Sequence, residues 1–378
     1  MKLAVLASSA ISLCAGGAFA AGVERTTQSA MILYETGNYV ELNFSNVSPH
    51  VSGTQSVNAS AVLPGSVPGA NSGGMTEDYT NLSFGMKYAV NDMVDLALII
   101  DQPIGADIFY RPDTGYLYGG SAFAFGGSTA SLDSTAVTAL AKYRFNHNFS
   151  VFGGLRALRT GGDVKLFQGY TLNVPKETDY GYVVGAAYEK PEIALRVALT
   201  YNSAIKHTFP IKENGAVSIP MDVEIPQSVN LEFQSGVAKD TLLFGSVRYV
   251  DWTEFNLAPV GYVATTGRPL VKYNDDTVTW TLGIGRRFTP NWSGAVFASY
   301  EDSMGGFSGN LGPTDGQKSI GFAVTYEQDA FEITAGARYI DLGDTTTEAP
   351  LPFPAGTQFS SFRDNHAVAY GFKVAYKF

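Results

Sequence analysis

The chain has almost no cysteine, no long apolar run after its first 20 residues and no excess of positive charge. Its single cysteine, Cys14, falls in an N-terminal apolar stretch. Disulfide frameworks, cysteine-based zinc sites and thiol nucleophiles are therefore excluded for the rest of the chain. The missing apolar runs, well short of about 18 residues, predict no membrane-spanning helix. Acidic residues outnumber basic ones by 35 to 25, and the net charge of −10 argues against a nucleic-acid partner.

The first 20 residues have the pattern of a secretory signal peptide. Met1 and Lys2 form a cationic start, residues 3–13 are apolar, and residues 18–20 (AFA) form a small-x-small cleavage site. Bulky Leu13 stands where a lipoprotein signal would have a small residue before Cys14. We therefore predict export and cleavage after residue 20, which removes Cys14.

The last 15 residues alternate strictly between two kinds of side chain. One parity is apolar and mostly aromatic, and it comprises His366, Val368, Tyr370, Phe372, Val374, Tyr376 and the terminal Phe378. The other parity carries small and cationic residues, among them Lys373 and Lys377. A period-two segment that ends the chain on an aromatic residue is typical of the final strand of a bacterial outer-membrane β-barrel.

The same alternation recurs along the rest of the chain, and no Pro/Ser/Gly-rich linker divides it. We predict strands at 37–51, 77–90, 93–105, 132–146, 148–160, 178–190, 192–206, 225–238, 240–252, 276–288, 291–302, 315–328, 330–342 and 364–378. Six short turns alternate with seven long loops, as in outer-membrane barrels. The predicted fold is all-β: a transmembrane antiparallel β-barrel of about 14 strands over residues 37–378. A short N-terminal latch segment, residues 21–36, precedes it and is able to reach into the lumen.

Charged residues within these strands fall almost uniformly on one parity. Because an Arg or Lys facing lipid at the midplane costs about 2 to 4 kcal/mol, we expect this parity to face the lumen. The predicted inward set is Glu41, Lys87, Asp95, Asp101, Lys142, Arg144, Arg156, Arg196, Glu232, Arg248, Arg287, Glu327, Arg338 and Lys373.

Several motifs, in order over most of residues 77–378, resemble those of the FadL-type long-chain fatty acid transporters, a family that includes aromatic-hydrocarbon channels. The motifs are 101–106 (DQPIGA), 226–231 (PQSVNL), 251–255 (DWTEF), Asp276 with Trp280 and Gly283, and 312–315 (GPTD). The resemblance implies a monomeric 14-stranded barrel in the outer membrane. Such a barrel takes up a hydrophobic compound outside and releases it sideways into the membrane through a gap in its wall.

The third predicted strand contains a physical reason for such a gap. Pro103 has no amide hydrogen for the ladder and Gly105 has no side chain, so the strand is expected to break or bulge there. We predict a lateral opening at Gln102, Pro103, Ile104, Gly105 and Ala106. The alternative is that Pro103 and Gly105 only end the strand at the extracellular rim.

The resemblance weakens at the N-terminus, where the family has a plug of about forty residues. Only residues 21–36 precede the first strand here, and sixteen extended residues reach at most about 50 Å. They can enter the lumen but cannot form a full plug. Either a minimal latch at 22–34 or the loops 53–76 and 106–131 close the lumen, or the pore is open and wet.

Candidate ligand residues follow from parity and from one aromatic loop. Low-affinity capture is assigned to a loop with unusually many large apolar residues: Phe109, Tyr110, Tyr116, Leu117, Tyr118, Phe123 and Phe125. The alternative is that they pack inside the loop. Arg156, Arg248 and Arg338 are candidate anchors for a carboxylate, since an arginine pairs such a group bidentately. The alternative is a paired charge network that braces the lumen.

Other functions are compatible with parts of the sequence. A structural or adhesive barrel shares every fold signal, and a general porin would need a constricting charged loop that is not recognisable. An outer-membrane hydrolase lacks a nameable serine or carboxylate partner for His50, His147, His207 or His366. We expect no enzyme activity, cofactor or metal. The expected partners are a hydrophobic small molecule, outer-membrane lipid and lipopolysaccharide.

Overall fold

The computed structural model describes residues 23–121 and 126–378. The predicted signal peptide, residues 1–20, lies outside this part of the chain. So do the first two residues of the predicted latch, 21 and 22, and the candidate capture residues Phe123 and Phe125.

Fourteen antiparallel strands form a closed barrel. They are β1 (Tyr39–His50), β2 (Tyr79–Ala89), β3 (Val94–Asp101 and Ala106–Phe109), β4 (Thr129–Arg144), β5 (Phe149–Lys165), β6 (Thr171–Lys190), β7 (Leu195–Asn202), β8 (Ser228–Ala238), β9 (Thr241–Val250), β10 (Thr277–Arg287), β11 (Trp292–Glu301), β12 (Gln317–Gln328), β13 (Phe331–Leu342) and β14 (Asn365–Lys377). Each strand pairs with its neighbours in sequence, and β14 pairs with β1 from Tyr39↔Lys377 to His50↔His366. The predicted barrel and its strand count are confirmed.

The strand bounds differ from the predicted ones mainly on the extracellular side. β5 and β6 reach Lys165 and Thr171, several residues beyond their predicted ends. Above β7 and β8 the chain forms a separate hairpin, Ile205–Phe209 paired with Met221–Ile225. Strand pairing here continues above the membrane, where the outward parity is no longer apolar and the alternation is hard to recognise.

The two faces of the sheet are as predicted. Large apolar side chains are exposed on the outside, including Leu42, Phe44, Leu82, Trp280, Ile320 and Phe372. Lys87, Asp95, Lys142, Arg196, Arg248 and Lys373 point inward and are at most 5% exposed. An apolar outer belt around a charged interior is the arrangement of a barrel that spans the outer membrane.

The short helices are not part of the barrel wall. The 3₁₀ turn Met31–Tyr34 precedes β1, and α1 (Val260–Thr266) lies between β9 and β10. Among the described residues, no helix is long and apolar enough to cross a membrane.

The interior holds two apolar clusters at different heights. The periplasmic cluster surrounds residues 30–34, which pack against Leu140, Phe152 and Val183 of the wall. The larger, extracellular cluster joins the loops to the upper ends of the strands. Both the N-terminal segment and the loops therefore contribute to filling the lumen.

Candidate functional site

An apolar chamber lies inside the extracellular half of the barrel. Its volume is about 100 Å³, and apolar side chains make most of its lining, among them Leu132, Leu172, Phe209, Val223, Phe255 and Leu311. Asp163 and Lys272 are the charged residues in that lining. A chamber of this composition has the apolar lining typical of sites for apolar molecules.

β3 is interrupted where the sequence predicts a break. β2 pairs with β3 up to Phe84↔Ile100 and meets it again at the bridge Thr76↔Ile108. Both pairs keep one register, because seven residues lie between them on each strand, so the two strands part and rejoin without slipping. We call the gap between them the β3 slit.

The chain bends into the lumen at the β3 slit and bonds to the N-terminal segment. Ile104 is 2% exposed, and both its amide and its carbonyl bond to the hydroxyl of Ser134 on β4. The carbonyl of Pro103 accepts the amide of Arg25 at 2.7 Å, and the amide of Gly105 donates to the carbonyl of Val23 at 2.8 Å. Because Pro103 has no amide hydrogen, it cannot bond to β2 as a ladder residue would.

Residues 23–35, here called the luminal segment, run through the barrel interior. Its periplasmic end is fixed by lysines: Lys87 donates to the carbonyl of Glu35 at 2.9 Å, and Lys142 donates to the carbonyl of Leu33. Both lysines also lie 3.0 Å from the carboxylate of Asp95, and Arg144 lies 2.5 Å from it. The segment therefore occupies the lumen, one of the arrangements that the sequence left open.

The upper end of the luminal segment is held by ion pairs with the wall. The carboxylate of Glu24 pairs bidentately with Arg248, whose Nε lies 3.0 Å from it. Arg25 pairs with Asp107 at 2.5 Å, and its guanidinium lies 4.3 Å from the ring centroid of Tyr79. Each of these ion pairs crosses from the segment to a barrel strand, and they add to the backbone hydrogen bonds at the bend in β3.

A second cavity, of about 130 Å³, lies at the β3 slit and is lined by residues of both faces of the wall. Its lining includes Asn81 and Asp101, which face the lumen, and Phe44 and Leu82, which are exposed on the lipid side. Arg25 lines this cavity, whereas Val23, two residues earlier, lines the apolar chamber. Residues 23–25 therefore stand between the chamber and the membrane.

Solved structures with the same architecture exist for several transport proteins. A Pseudomonas aeruginosa FadL homologue matches with a TM-score of 0.76 at 11% identity, covering 98% of each chain. The chain has the fold of the FadL-type transporters. The Pseudomonas putida toluene transporter TodX matches at 0.65 and 12% identity over 92% of each chain. The Ralstonia pickettii toluene transporter TbuX matches at 0.58 and 12% identity, covering 91% of this chain and 90% of that one.

These matches confirm the fold that the motifs implied. No family model matches the chain. No curated protein matches it either. At such low identity the FadL-type fold is shared, while the ligand and the route must be argued from the residues of this chain.

The three candidate anchors face the lumen and already have partners. Arg156 donates to Thr138 at 2.9 Å and to Gln28 of the luminal segment. Arg248 holds Glu24, as described above, and Arg338 donates to Ser319 at 2.9 Å. Anchoring of a ligand by any of them stays a prediction, and for Arg156 and Arg248 it would require the luminal segment to give way.

The aromatic loop residues form a packed core above the chamber. Tyr110 and Tyr116 stack at 5.5 Å and are fully buried, and Tyr118 packs against Phe359 at 5.7 Å. Leu117 is also fully buried, whereas Phe109 is only partly covered. This is the packing that the sequence offered as the alternative to capture, and capture by these residues stays a prediction.

Sequence reasoning did not identify the residues that line the chamber or close the β3 slit. The hairpin residues Phe209, Met221 and Val223 lie beyond the predicted strands, although their alternation was a usable signal. For Glu24 and Arg25 the sequence contains no such signal, since nothing local relates them to partners more than 80 residues away.

Proposed function

We propose that this protein belongs to the FadL-type family and imports hydrophobic compounds across the bacterial outer membrane. The compound occupies the apolar chamber, the upper luminal segment moves aside as a latch, and the compound leaves through Gln102–Ala106 into the membrane. The barrel acts as a monomer, since the chamber, latch and β3 slit all belong to one chain.

One observation carries the proposal: Val23 lines the apolar chamber and Arg25 lines the cavity at the β3 slit, so residues 23–25 lie between the two. A shift of this short stretch would connect the chamber to the lipid side. The contacts that hold it are ion pairs and a few backbone hydrogen bonds, which can break and re-form without disturbing the barrel ladder.

The size of the chamber bears on the substrate. A cavity of roughly 150 Å³ is known to hold benzene, and the chamber has about 100 Å³. A single-ring aromatic compound therefore needs little rearrangement, whereas a long-chain fatty acid requires the chamber to extend toward the β3 slit. Toluene transporters are among the proteins with this fold, and both substrate classes belong in the test.

The alternative functions are less well supported. A general porin needs an open aqueous path, but the described lumen is occupied by residues 30–34 and the loop core. A structural or adhesive barrel does not account for an apolar chamber beside an opening in the wall. A hydrolase would need a serine beside a histidine. His207 lies beside the carboxylate of Asp179, but its Nε2 has no hydrogen-bond partner among the described residues, so no serine completes a triad there.

The test is uptake of a radiolabelled long-chain fatty acid, and of toluene in parallel, by cells that lack their own transporter. Leu82 and Gln102 face each other across the β3 slit, and the amide of Leu82 lies 3.3 Å from Oε1 of Gln102. A Leu82→Cys/Gln102→Cys variant, in a Cys14→Ser background, allows the slit to be bridged by a reducible cross-linker. We expect the bridged protein to lose at least about ten-fold in uptake and to recover on reduction.

The matched control bridges the same two strands where they are already paired. Tyr88 and Leu96 are exposed partners in the continuous ladder, so a Tyr88→Cys/Leu96→Cys bridge should leave uptake unchanged. Uptake no faster than in empty cells would reject the transport function. Normal uptake with a bridged slit would reject lateral release while leaving transport intact.

A further inference from the structure

The barrel wall contains a second slit, on the extracellular side between β6 and the hairpin that follows β7. β6 pairs with β7 up to Val183↔Asn202, and it is paired again at Asn173↔Lys212. Nine residues lie between these pairs on each strand, so the register is again unchanged. Between them the first hairpin strand, Ile205–Phe209, pairs only with Met221–Ile225 among the described residues. We call this gap the β6 slit.

The sequence of β6 explains why the strands part here. Pro175 lacks an amide hydrogen, and the pairing of β5 with β6 has a bulge between Thr160 and Gly162. Opposite this bulge, a Cβ on Gly161 would lie 2.8 Å from Cα of Lys176, so only glycine fits. A bulge bends its strand and increases its twist, which turns this part of β6 away from the hairpin.

Both edges of the β6 slit line the apolar chamber. On the wall side the lining includes Val174 of β6, together with Thr160 and Gly162 of the neighbouring β5. On the hairpin side it includes Phe209 and Val223. The outer face of the hairpin is polar, with Lys206 paired to Glu224 at 3.2 Å. At the β6 slit, therefore, only the thickness of the barrel wall lies between the polar exterior and the chamber.

Side chains close the β6 slit. His207 is fully buried, and its Nδ1 lies 2.8 Å from Oδ2 of Asp179 across the gap. Its Nε2 has no hydrogen-bond partner among the described residues, and its ring stacks on Phe209 at 5.1 Å. Below His207, the side chain of Ile205 covers Gly181. A Cβ added to Gly181 would lie 2.7 Å from the side chain of Ile205. The contact between Asp179 and His207 and the packing of Ile205 on Gly181 thus help to join the two edges.

The height of the β6 slit places it in the headgroup layer. Tyr180 and Tyr188 are exposed on the outer face of β6. Eight residues of a tilted strand span about 20 Å along the barrel axis, close to the apolar band of about 25 Å that aromatic girdles border. Above Tyr180 the outward residues Thr178 and Lys176 are polar, so the slit begins at the upper girdle.

The packed extracellular core blocks the direct route from above into the chamber, so a compound needs an entrance at the side. Tyr110, Tyr116 and Phe359 are fully buried above the chamber, so a compound arriving from directly above meets closed packing. Hydrophobic compounds concentrate where membrane and water meet rather than in water, and the β6 slit faces that layer.

We propose that the β6 slit is a second opening of the barrel, through which hydrophobic compounds adsorbed in the lipopolysaccharide headgroup layer reach the chamber. The hairpin is its moving edge, and Asp179 with His207 is its closure. This inference rests on the proposed function: compounds arrive through the β6 slit and leave through the β3 slit.

The test locks the β6 slit with a reversible bridge. In a Cys14→Ser background, Asp179→Cys/His207→Cys is joined by a short bis-methanethiosulfonate reagent and released by a reducing agent. The control, Thr208→Cys/Asp222→Cys, bridges two hairpin partners on the outer face and does not cross the slit. The readouts are the rate at which the fluorescent probe N-phenyl-1-naphthylamine binds the purified barrel in vesicles, and substrate uptake by cells.

We expect the locked protein to bind the probe and take up substrate at least about ten-fold more slowly than after reduction, with no change in the control. Equal rates before and after reduction, in protein shown to be folded by its gel mobility, would overturn the proposal. If cells import no substrate while probe binding still depends on the lock, the proposed transport function fails and the second opening stands. If import proceeds normally with the lock in place, only the second opening fails.

Discussion

The two slits in the wall share their construction but not their closure. In both, adjacent strands separate beside a proline and rejoin in the same register. The β3 slit is covered from inside by the luminal segment, which is bonded to the bend at Pro103. The β6 slit is closed by residues of its own two edges, chiefly Asp179 and His207.

This difference indicates what must move to open each slit. At the β3 slit the strands can stay in place while the luminal segment leaves, so the anchors of that segment control the opening. At the β6 slit the hairpin itself must tilt, so the bulk and charge between the two edges control it. The two openings should therefore respond to different substitutions.

Deleting residues 23–35 should have the largest effect, because it removes the cover of the β3 slit and the filling of the periplasmic half. We expect conductance in planar bilayers to rise about ten-fold or more, as a barrel of this width holds water unless something fills it. Probe binding through the β6 slit should still become slower when the Asp179→Cys/His207→Cys pair is cross-linked. Unchanged conductance would mean that the loop core alone closes the lumen.

Asp95→Asn should destabilise the base of the luminal segment. Asp95 is fully buried between Lys87, Lys142 and Arg144, and removing one partner of a buried ion pair costs about 3 to 5 kcal/mol. Urea unfolding in vesicles measures the loss. Asp341→Asn, at an exposed carboxylate, is the control and should stay within about 0.5 kcal/mol of the native value. A loss no larger than this control would show that Asp95 does not anchor the segment.

Gly181→Val should open the β6 slit without changing the β3 slit. The new side chain would displace Ile205 and push the hairpin outward. We expect N-phenyl-1-naphthylamine to bind about two- to five-fold faster, a shift of less than 1 kcal/mol between closed and open forms. Thr178→Val, on the outward face of the same strand, should leave the rate unchanged. A slower rate in Gly181→Val would contradict an opening at this position.

A modest pH dependence should distinguish the slits further. Burial lowers the pKa of His207 below its ordinary value, and the nearby carboxylates of Asp179 and Glu177 oppose this only in part. The closed form thus holds fewer protons than an open, solvated form. Closure is favoured above the ordinary pKa of about 6.5 and weakens as the pH falls through that value.

Probe binding to the native barrel should therefore be faster at pH 5.5 than at pH 7.5, and His207→Gln should remove this difference. The charges on the outer face of the hairpin, Lys206 and Glu224, are unchanged in that variant. Slower binding at the lower pH would mean that Asp179 and Glu177 dominate, with protonated His207 strengthening the closure.

Strand count, facing and the position of the β3 break could all be predicted, because each depends on local periodicity. Alternation assigned the inward charges, and Pro103 marked the interruption. The path of the luminal segment could not be predicted, since it depends on contacts such as Glu24 with Arg248, which are 224 residues apart. The hairpin was missed although its alternation was visible, because it pairs with neither neighbouring strand and so falls outside the regular sequence of barrel strands.

The junction at Asn38 has a consequence for biogenesis. The amide of the terminal Phe378 donates to the carbonyl of Asn38 at 3.0 Å, and β14 pairs with β1 from the next residue onward. The strand pair that completes the cylinder thus begins where the chain emerges from the lumen. Residues 23–35 therefore enter the lumen directly beside the seam where the last strand docks on the first, so packing of the segment and closure of the barrel share one site.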